Sequence, residues 1–365
     1  MIYWLAMLGL FAAGPDEIAY VSGTEQEDQC VCVLSLETGE VRRVGAGNRD
    51  GAPVWSPDGR WLAFPSKQPE GMGIRVVRAD GDGGRLLEHQ HLWNHTPAWS
   101  PAGRRLAYTA DSEMGLVHQM MVYDLATDTE TRWGEQTLAA GFFVPQWMPN
   151  LDLMAALNPE QSLDLEGVDT ALLLVEAEQE GALLAIGLVG KPGAFSTEVF
   201  LVTSGQAAPL LPLLLPDSHR YAEWAVRVSG NGRRIAFESN DGGDRELFVI
   251  NKRGVADVSN HRAADWNPVW SNDGKWLAFE SFRGGRRGVY RLFSDTGRTF
   301  PVATDALFAN WAPAWAPDDD RIVFVSNRSG NAELYLFEVE TGTTQRLTEH
   351  PGPDLAPAWR PEEEE

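Results

Sequence analysis

One phrase recurs along this chain at nearly even intervals, and it constrains the fold more than any other feature. Pro53-Val-Trp55-Ser-Pro-Asp-Gly-Arg-Trp-Leu-Ala-Phe64 and Pro97-Ala-Trp99-Ser-Pro-Ala-Gly-Arg-Arg-Leu-Ala-Tyr108 are two copies. Pro268-Val-Trp270-Ser-Asn-Asp-Gly-Lys-Trp-Leu-Ala-Phe279 and Pro313-Ala-Trp315-Ala-Pro-Asp-Asp-Asp-Arg-Ile-Val-Phe324 are two more. Pro145-Gln-Trp147-Met-Pro149 and Pro357-Ala-Trp359-Arg-Pro361 are shorter, and Val228-Ser-Gly-Asn-Gly-Arg-Arg-Ile-Ala-Phe237 lacks the Trp. Anchors at 55, 99, 147, 228, 270, 315 and 359 lie 44, 48, 81, 42, 45 and 44 residues apart. A period near 44 is the length of a propeller blade, and a repeat of this kind must be recognised before any local pattern is read.

Each unit reads as four strands. Pro-x-Trp ends the first, Ser-Pro-Asp-Gly supplies the turn, and Arg-Trp-Leu-Ala-Phe forms the second, because Gly and Asp favour turn conformations. Glu333-Leu-Tyr-Leu-Phe-Glu338 and Thr344-Gln-Arg-Leu-Thr348 exemplify the third and fourth. Trp359-Arg-Pro361 is a first strand with nothing after it, whereas Glu17-Ile-Ala-Tyr-Val-Ser22 is a second strand with none before it. Joined, they make one blade and close the ring, which removes an open sheet edge. The expected fold is therefore all-β: one propeller over 15–365, with seven blades and an irregular or inserted segment about 158–215. Eight blades is the alternative, since Gly181-Ala-Leu-Leu-Ala-Ile186 also aligns on a second strand.

Fourteen Trp, 36 Gly and 22 Pro fit many short strands joined by tight turns. With 30 Lys plus Arg against 52 Asp plus Glu, the formal charge is −22, so this acidic protein repels polyanions and nucleic acid is excluded as a partner. Residues 2–13 are apolar and uncharged, too short a run to span a bilayer, and they read as the core of a signal peptide over 1–14. No later stretch qualifies as transmembrane. Cys30 and Cys32, the only cysteines, sit two apart in a strand, share a face and read as packed thiols.

The phrase Trp-Ser-Pro-Asp-Gly-Arg-Trp-Leu-Ala-Phe, the partner phrase Ser326-Asn-Arg-Ser-Gly-Asn-Ala-Glu-Leu-Tyr-Leu336 and the ending Arg346-Leu-Thr-Glu-His350 resemble the WD40-like repeat of TolB-type propellers. The resemblance covers the chain apart from 1–14 and much of 148–227. It implies a propeller of the kind found in envelope transport components, in the regulatory propellers of prolyl-oligopeptidase-like peptidases and in some propeller enzymes. There is no room for the separate N-terminal α/β domain of TolB itself.

Five residues before the anchors stand Asp50, Asn94, Glu223, Asp265, Asn310 and Asp354, with Phe142 as the exception. These positions open the innermost strands, so six polar side chains ring one mouth of the channel, where they can hold a ligand or tie their own turns. His261 and His350, nine residues before their anchors, fall in the same loops. His89, His91 and His95 form the one dense histidine cluster and are weak candidates for a metal, without a carboxylate at a diagnostic spacing. Arg283, Arg286 and Arg287 make a basic patch able to grip a carboxylate or phosphate, or simply a solvated turn.

No Gly-x-Ser-x-Gly elbow, His-Glu-x-x-His, P-loop or dinucleotide fingerprint occurs, so no catalytic residue or cofactor is assigned. The sequence reads as a non-catalytic, monomeric, extracytoplasmic (periplasmic or secreted) scaffold that binds a protein or peptide. The alternatives are a metal-dependent lyase or hydrolase acting on carbohydrate and a detached regulatory propeller related to the peptidases.

Overall fold

The computed structural model describes residues 16–24, 28–47, 49–87, 89, 91–111, 118–135, 137, 139–153, 170–191, 194–210, 223–240 and 243–362. The candidate signal peptide at 1–14 lies outside them. Seven four-stranded antiparallel sheets follow one another around a ring. The inner strand of each ends at a repeat anchor: Val54–Trp55, Asn94–Trp99, Gly141–Trp147, Glu223–Val228, Asp265–Trp270, Asn310–Trp315 and Asp354–Trp359. The sheet that Asp354–Trp359 enters is counted as blade one, and blades two to seven then follow in chain order.

The count is seven because the strand Leu183–Lys191, into which the Gly181–Ile186 stretch that suggested an eighth blade runs, pairs with Gly141–Trp147 in one sheet, with Trp147 opposite Leu183 and Phe143 opposite Ile186. Ala194–Val202 and Ala207–Pro209 complete this fourth blade. Part of the span 158–215 thus supplies regular strands. What lengthens the blade is the crossing between its first and second strands, which contains the helix Thr170–Glu180.

The recurring Trp has a physical purpose. Five of the six anchor indoles donate their Nε1–H to a carbonyl of the preceding inner strand. Trp55 donates to Ala358 O (3.0 Å), Trp99 to Val54 O (3.2 Å) and Trp147 to Ala98 O (3.0 Å). Trp270 donates to Arg227 O and Trp359 to Ala314 O, both at 3.0 Å. An indole buries a large apolar surface and still satisfies its one polar atom, which no other side chain does at this position. Blade five has Val228 instead, and Trp315 Nε1 finds no acceptor among the described residues.

The turn phrase is equally local in origin. Ser56 Oγ accepts the Trp61 N–H (2.9 Å) and donates to Asp58 Oδ1 (2.5 Å), and Ser271 and Asp273 repeat the arrangement. The residue after Asp58 is left-handed (Gly59, φ 64°), hence Gly.

The ring closes as its ends imply. Asp354–Trp359 pairs with Glu17–Ser22, placing Ile18 opposite Trp359 and Ser22 opposite Asp354. The Glu17 carboxylate, 7% exposed, meets Arg42 at 2.5 Å and Arg360 at 2.9 Å. Burial alone would raise its pKa, but the two guanidiniums outweigh burial and hold it below the usual glutamate value.

Candidate functional site

The inner strands all begin at one end of the ring, and the candidate site is built there in three layers. Asp50, Asn94, Glu223, Asp265, Asn310 and Asp354 form the first, and the structure brings them to equivalent positions with 0–3% exposure. Each ties its own blade or the preceding one. Ser66 Oγ donates to Asp50 Oδ1 (2.6 Å), and the Val199 N–H donates to Glu223 Oε2 (2.5 Å). Arg283 reaches Asp265 Oδ2 (2.5 Å) and Arg328 reaches Asn310 Oδ1 (2.8 Å). Asn94 Nδ2 donates to the carbonyls of His91 (2.8 Å) and Met72 (3.1 Å).

The polar ring therefore lies behind the mouth surface. Burial pushes Glu223 up to about 8, against the Val199 N–H, and raises Asp265 despite Arg283. It also raises Asp354. Near neutral pH this layer is less negative than its composition suggests.

Phe142, the residue out of pattern, packs into the core between blades three and four. His261 and His350 sit in the loops entering the sixth and first blades. Each donates its backbone N–H to a buried glutamate, Glu246 (3.2 Å) and Glu333 (3.0 Å) respectively. Their Nδ1 atoms accept from Ala263 N and Gly352 N.

One residue further along the strands is a half-buried aromatic layer: Phe143, Trp224, Trp266 and Trp311, with His95 and Leu355 at the equivalent places. Arginines stack on it. Arg245 lies 4.8 Å from the Trp224 ring centroid, and Arg287 lies 5.9 and 5.5 Å from Trp266 and Trp311. Both guanidiniums are neutralised by carboxylates that are almost fully buried, Glu238 and Glu280. Desolvation raises the Glu238 pKa even against Arg245.

The third position is left-handed in six blades, at Thr96, Val144, Ala225, Asn267, Ala312 and Ala356, with φ between 46° and 54°. Pairing with the second strand slips there. Such bulges re-aim the backbone. The Asn267 and Ala312 N–H groups point back to the preceding blade, donating to Glu238 (2.5 Å) and Glu280 (3.0 Å). None of these positions is Gly, so each stores strain, most of all at β-branched Val144 and Thr96.

Loops complete the surface. Leu92 (55% exposed), Trp93 (47%), Phe282 (50%) and Leu307 (71%) all lie on loops at this end. Phe282 packs 4.9 Å from Trp266. It borders a cavity of about 490 Å³ that Arg286, Arg287, Ala306 and Ala309 also line. Of the basic patch read from the sequence, Arg283 is engaged by Asp265 and Ser281, and Arg287 by Glu280; Arg286 donates to Ala306 O (2.7 Å).

The three clustered histidines do not converge. His89 is buried: its Nε2 accepts the Ile74 N–H (3.1 Å), so Nδ1 carries the proton toward Glu130 (3.1 Å). His95 faces Asp111 (3.7 Å), which His118 also contacts, and His91 Nδ1 has no partner among the described residues. Among the described residues no group of three or more His, Cys, Asp or Glu is arranged to hold a metal.

The aromatic layer was findable from sequence, since Trp224, Trp266 and Trp311 each stand four residues before an anchor. Serines two residues beyond the second-strand aromatic (Ser66, Ser239, Ser281, Ser326) likewise mark the partners of the polar ring.

This architecture defines a seven-bladed β-propeller whose strained, aromatic end is distinct from its other end. Its fold is that of the TolB-like propellers: TolB from Acinetobacter baumannii superposes with a TM-score of 0.57 at 15% identity, over 95% of this chain and 67% of that one. The propeller domain of the Trilobed protease from Pyrococcus furiosus gives 0.64 at 12% identity, over 93% and 96%. Acylaminoacyl peptidase from Pyrococcus horikoshii gives 0.60 at 13% identity, over 92% of this chain and 51% of that one, so the chain spans about half of that enzyme. No sequence-family profile and no curated protein sequence matches the chain. The Trilobed protease domain is described as having an open velcro topology. Here the Asp354–Trp359 strand closes the first blade. No helix among the described residues is long and apolar enough to cross a membrane.

Proposed function

We propose that this protein is a non-catalytic, monomeric binding propeller that captures a protein or peptide on the end where the inner strands begin. The observation that carries the reading is that exposed Leu92, Trp93, Phe282 and Leu307 all stand on loops at that end, with Phe282 packed on the half-buried Trp266. Large exposed apolar side chains on one face mark interaction surfaces, and Trp and Phe dominate interface energetics. Paired Arg–Glu groups beneath them favour an apolar or aromatic-rich partner segment over a strongly charged one.

Asp50, Asn94, Glu223, Asp265, Asn310 and Asp354, with His261 and His350, supply the ligand-binding end with its underlying support by ordering the strand starts and loops. The apolar run at 2–13 and the TolB-like fold support an extracytoplasmic, periplasmic or secreted, location with 1–14 as a signal peptide.

The test is capture of a partner from native envelope extract by the full chain and by a Phe282→Ser, Leu307→Ser variant. Both side chains are at least half exposed, so the variant folds with an unchanged far-UV spectrum. The expected result is loss of a stoichiometric partner that survives moderate salt. Equal capture by the two proteins overturns the assignment of this face.

A further inference from the structure

Blade one departs from its sister blades at the seam where the ring closes. In blades five, six and seven the aromatic of the second strand faces an aromatic on the third: Phe237 opposite Phe248, Phe279 opposite Tyr290, Phe324 opposite Tyr335. In blade one Tyr20 faces Cys32. Where blades five and seven begin the third strand with Glu246 and Glu333, which fasten the following loop through Ser259 and Thr348, blade one begins with Cys30. Two large side chains are thus replaced by two small ones, and a cleft of about 430 Å³ opens beside them toward Arg43, Thr348 and His350.

Residues two apart on a strand share a face, so both thiols point into this space. Their sulfurs are 3.6 Å apart, both are free, and each side chain is 7% exposed. The two thiols are within hydrogen-bond reach of each other, and either can donate. A thiophilic cation held by such a pair displaces the thiol protons.

We propose that Cys30 and Cys32 chelate a soft monovalent cation of the Cu(I) class in this cleft. A cation about 2.3 Å from each sulfur would subtend about 100° across the observed separation, which a three- or four-coordinate thiolate site accepts. Thiolates select Cu(I) over harder ions. No third His, Cys, Asp or Glu among the described residues joins the pair, so the remaining positions stay open to an exogenous ligand from the cleft. On binding, both sulfurs become thiolates, the two thiol protons leave to solvent, and no electron is transferred.

The test is anaerobic titration of the full, reduced chain with Cu(I) against a colorimetric Cu(I) chelator, with stoichiometry read by native mass spectrometry and the thiolate-to-copper ultraviolet band. The expected result is one Cu(I) per chain, with at least about 100-fold weaker retention in Cys30→Ser and in Cys32→Ser, since each removes one of two first ligands. Cys32→Tyr restores the aromatic pair of the sister blades and fills the cleft; it is expected to fold at least as stably and to lose Cu(I) entirely. Failure of the wild type to hold Cu(I), or retention within about threefold by either Ser variant, overturns the proposal.

Discussion

The indole belt allows the worth of an inter-blade hydrogen bond to be measured against an internal control. Trp359 and Trp315 occupy the same repeat position and are 8% and 7% exposed. Trp359 Nε1 donates to Ala314 O at 3.0 Å, and Trp315 Nε1 donates to nothing among the described residues. Replacing either by Phe removes a similar ring volume, so the packing loss is common to both. In Trp359→Phe the Ala314 carbonyl also loses a buried partner, at about 1–3 kcal/mol. In Trp315→Phe an unmet donor disappears, which is neutral or favourable. The two variants should therefore differ by about 1–3 kcal/mol, with Trp359→Phe the less stable.

Trp270→Phe, whose indole is 8% exposed and bonds Arg227 O at 3.0 Å away from the ring seam, should match Trp359→Phe. The assay is urea unfolding followed by far-UV circular dichroism, comparing midpoints at constant slope. Equal midpoints for the Trp359 and Trp315 variants, or a lower one for Trp315→Phe, would refute the view that the recurring indole is retained for its donor.

Two further tests concern buried carboxylates. Glu17→Gln strips charge from the seam facing Arg42 and Arg360 and should destabilise the ring by about 3 kcal/mol at pH 7, because breaking a buried pair strands its partners. Since the folded pKa of Glu17 lies below its ordinary value, its contribution is present above the ordinary glutamate range and disappears as pH falls through the folded value. Acid titration of the two unfolding midpoints should therefore converge. Glu223 is the opposite case. With its pKa raised to about 8, its contribution is full below the ordinary glutamate value and is lost as pH rises through about 8. Glu223→Gln keeps an acceptor for the Val199 N–H and should raise the unfolding midpoint at pH 7 and above but not at pH 4; an unchanged midpoint at pH 8 would contradict the burial argument.

What the sequence made legible follows from what repeats. The Trp anchors and Ser-Pro-Asp-Gly turns are local chemistry copied blade to blade, so both the period and the ring closure could be read directly. Blade four resisted because its first and second strands are separated by a long crossing, and because the next anchor is Val228, without an indole to mark it. At the mouth, sequence placed Asp265 and Asn310 in register but not their burial. Burial depends on Arg283 and Arg328, which arrive from the neighbouring hairpin. The left-handed bulges left no signature, since Thr96, Val144 and Ala312 occupy a conformation ordinarily signalled by Gly. The histidine triplet misleads by proximity: His89 turns inward to Glu130, whereas His95 faces Asp111 at the mouth.

The belt of indoles also has a mechanical meaning. It is interrupted twice, where Val228 meets blade four and where Trp315 meets blade six. The waist of the ring thereby divides into a short arc of blades five and six and a long arc that contains the seam. The seam, where the chain is not continuous, falls inside the stiffly fastened arc, bridged by Trp55 to Ala358 and Trp359 to Ala314. One of the two looser joints, between blades six and seven, lies under Phe282 and the cavity beside Arg287. A wedge entering from that face would meet a joint without the indole bond that fastens the seam, beneath the surface that presents the exposed aromatic.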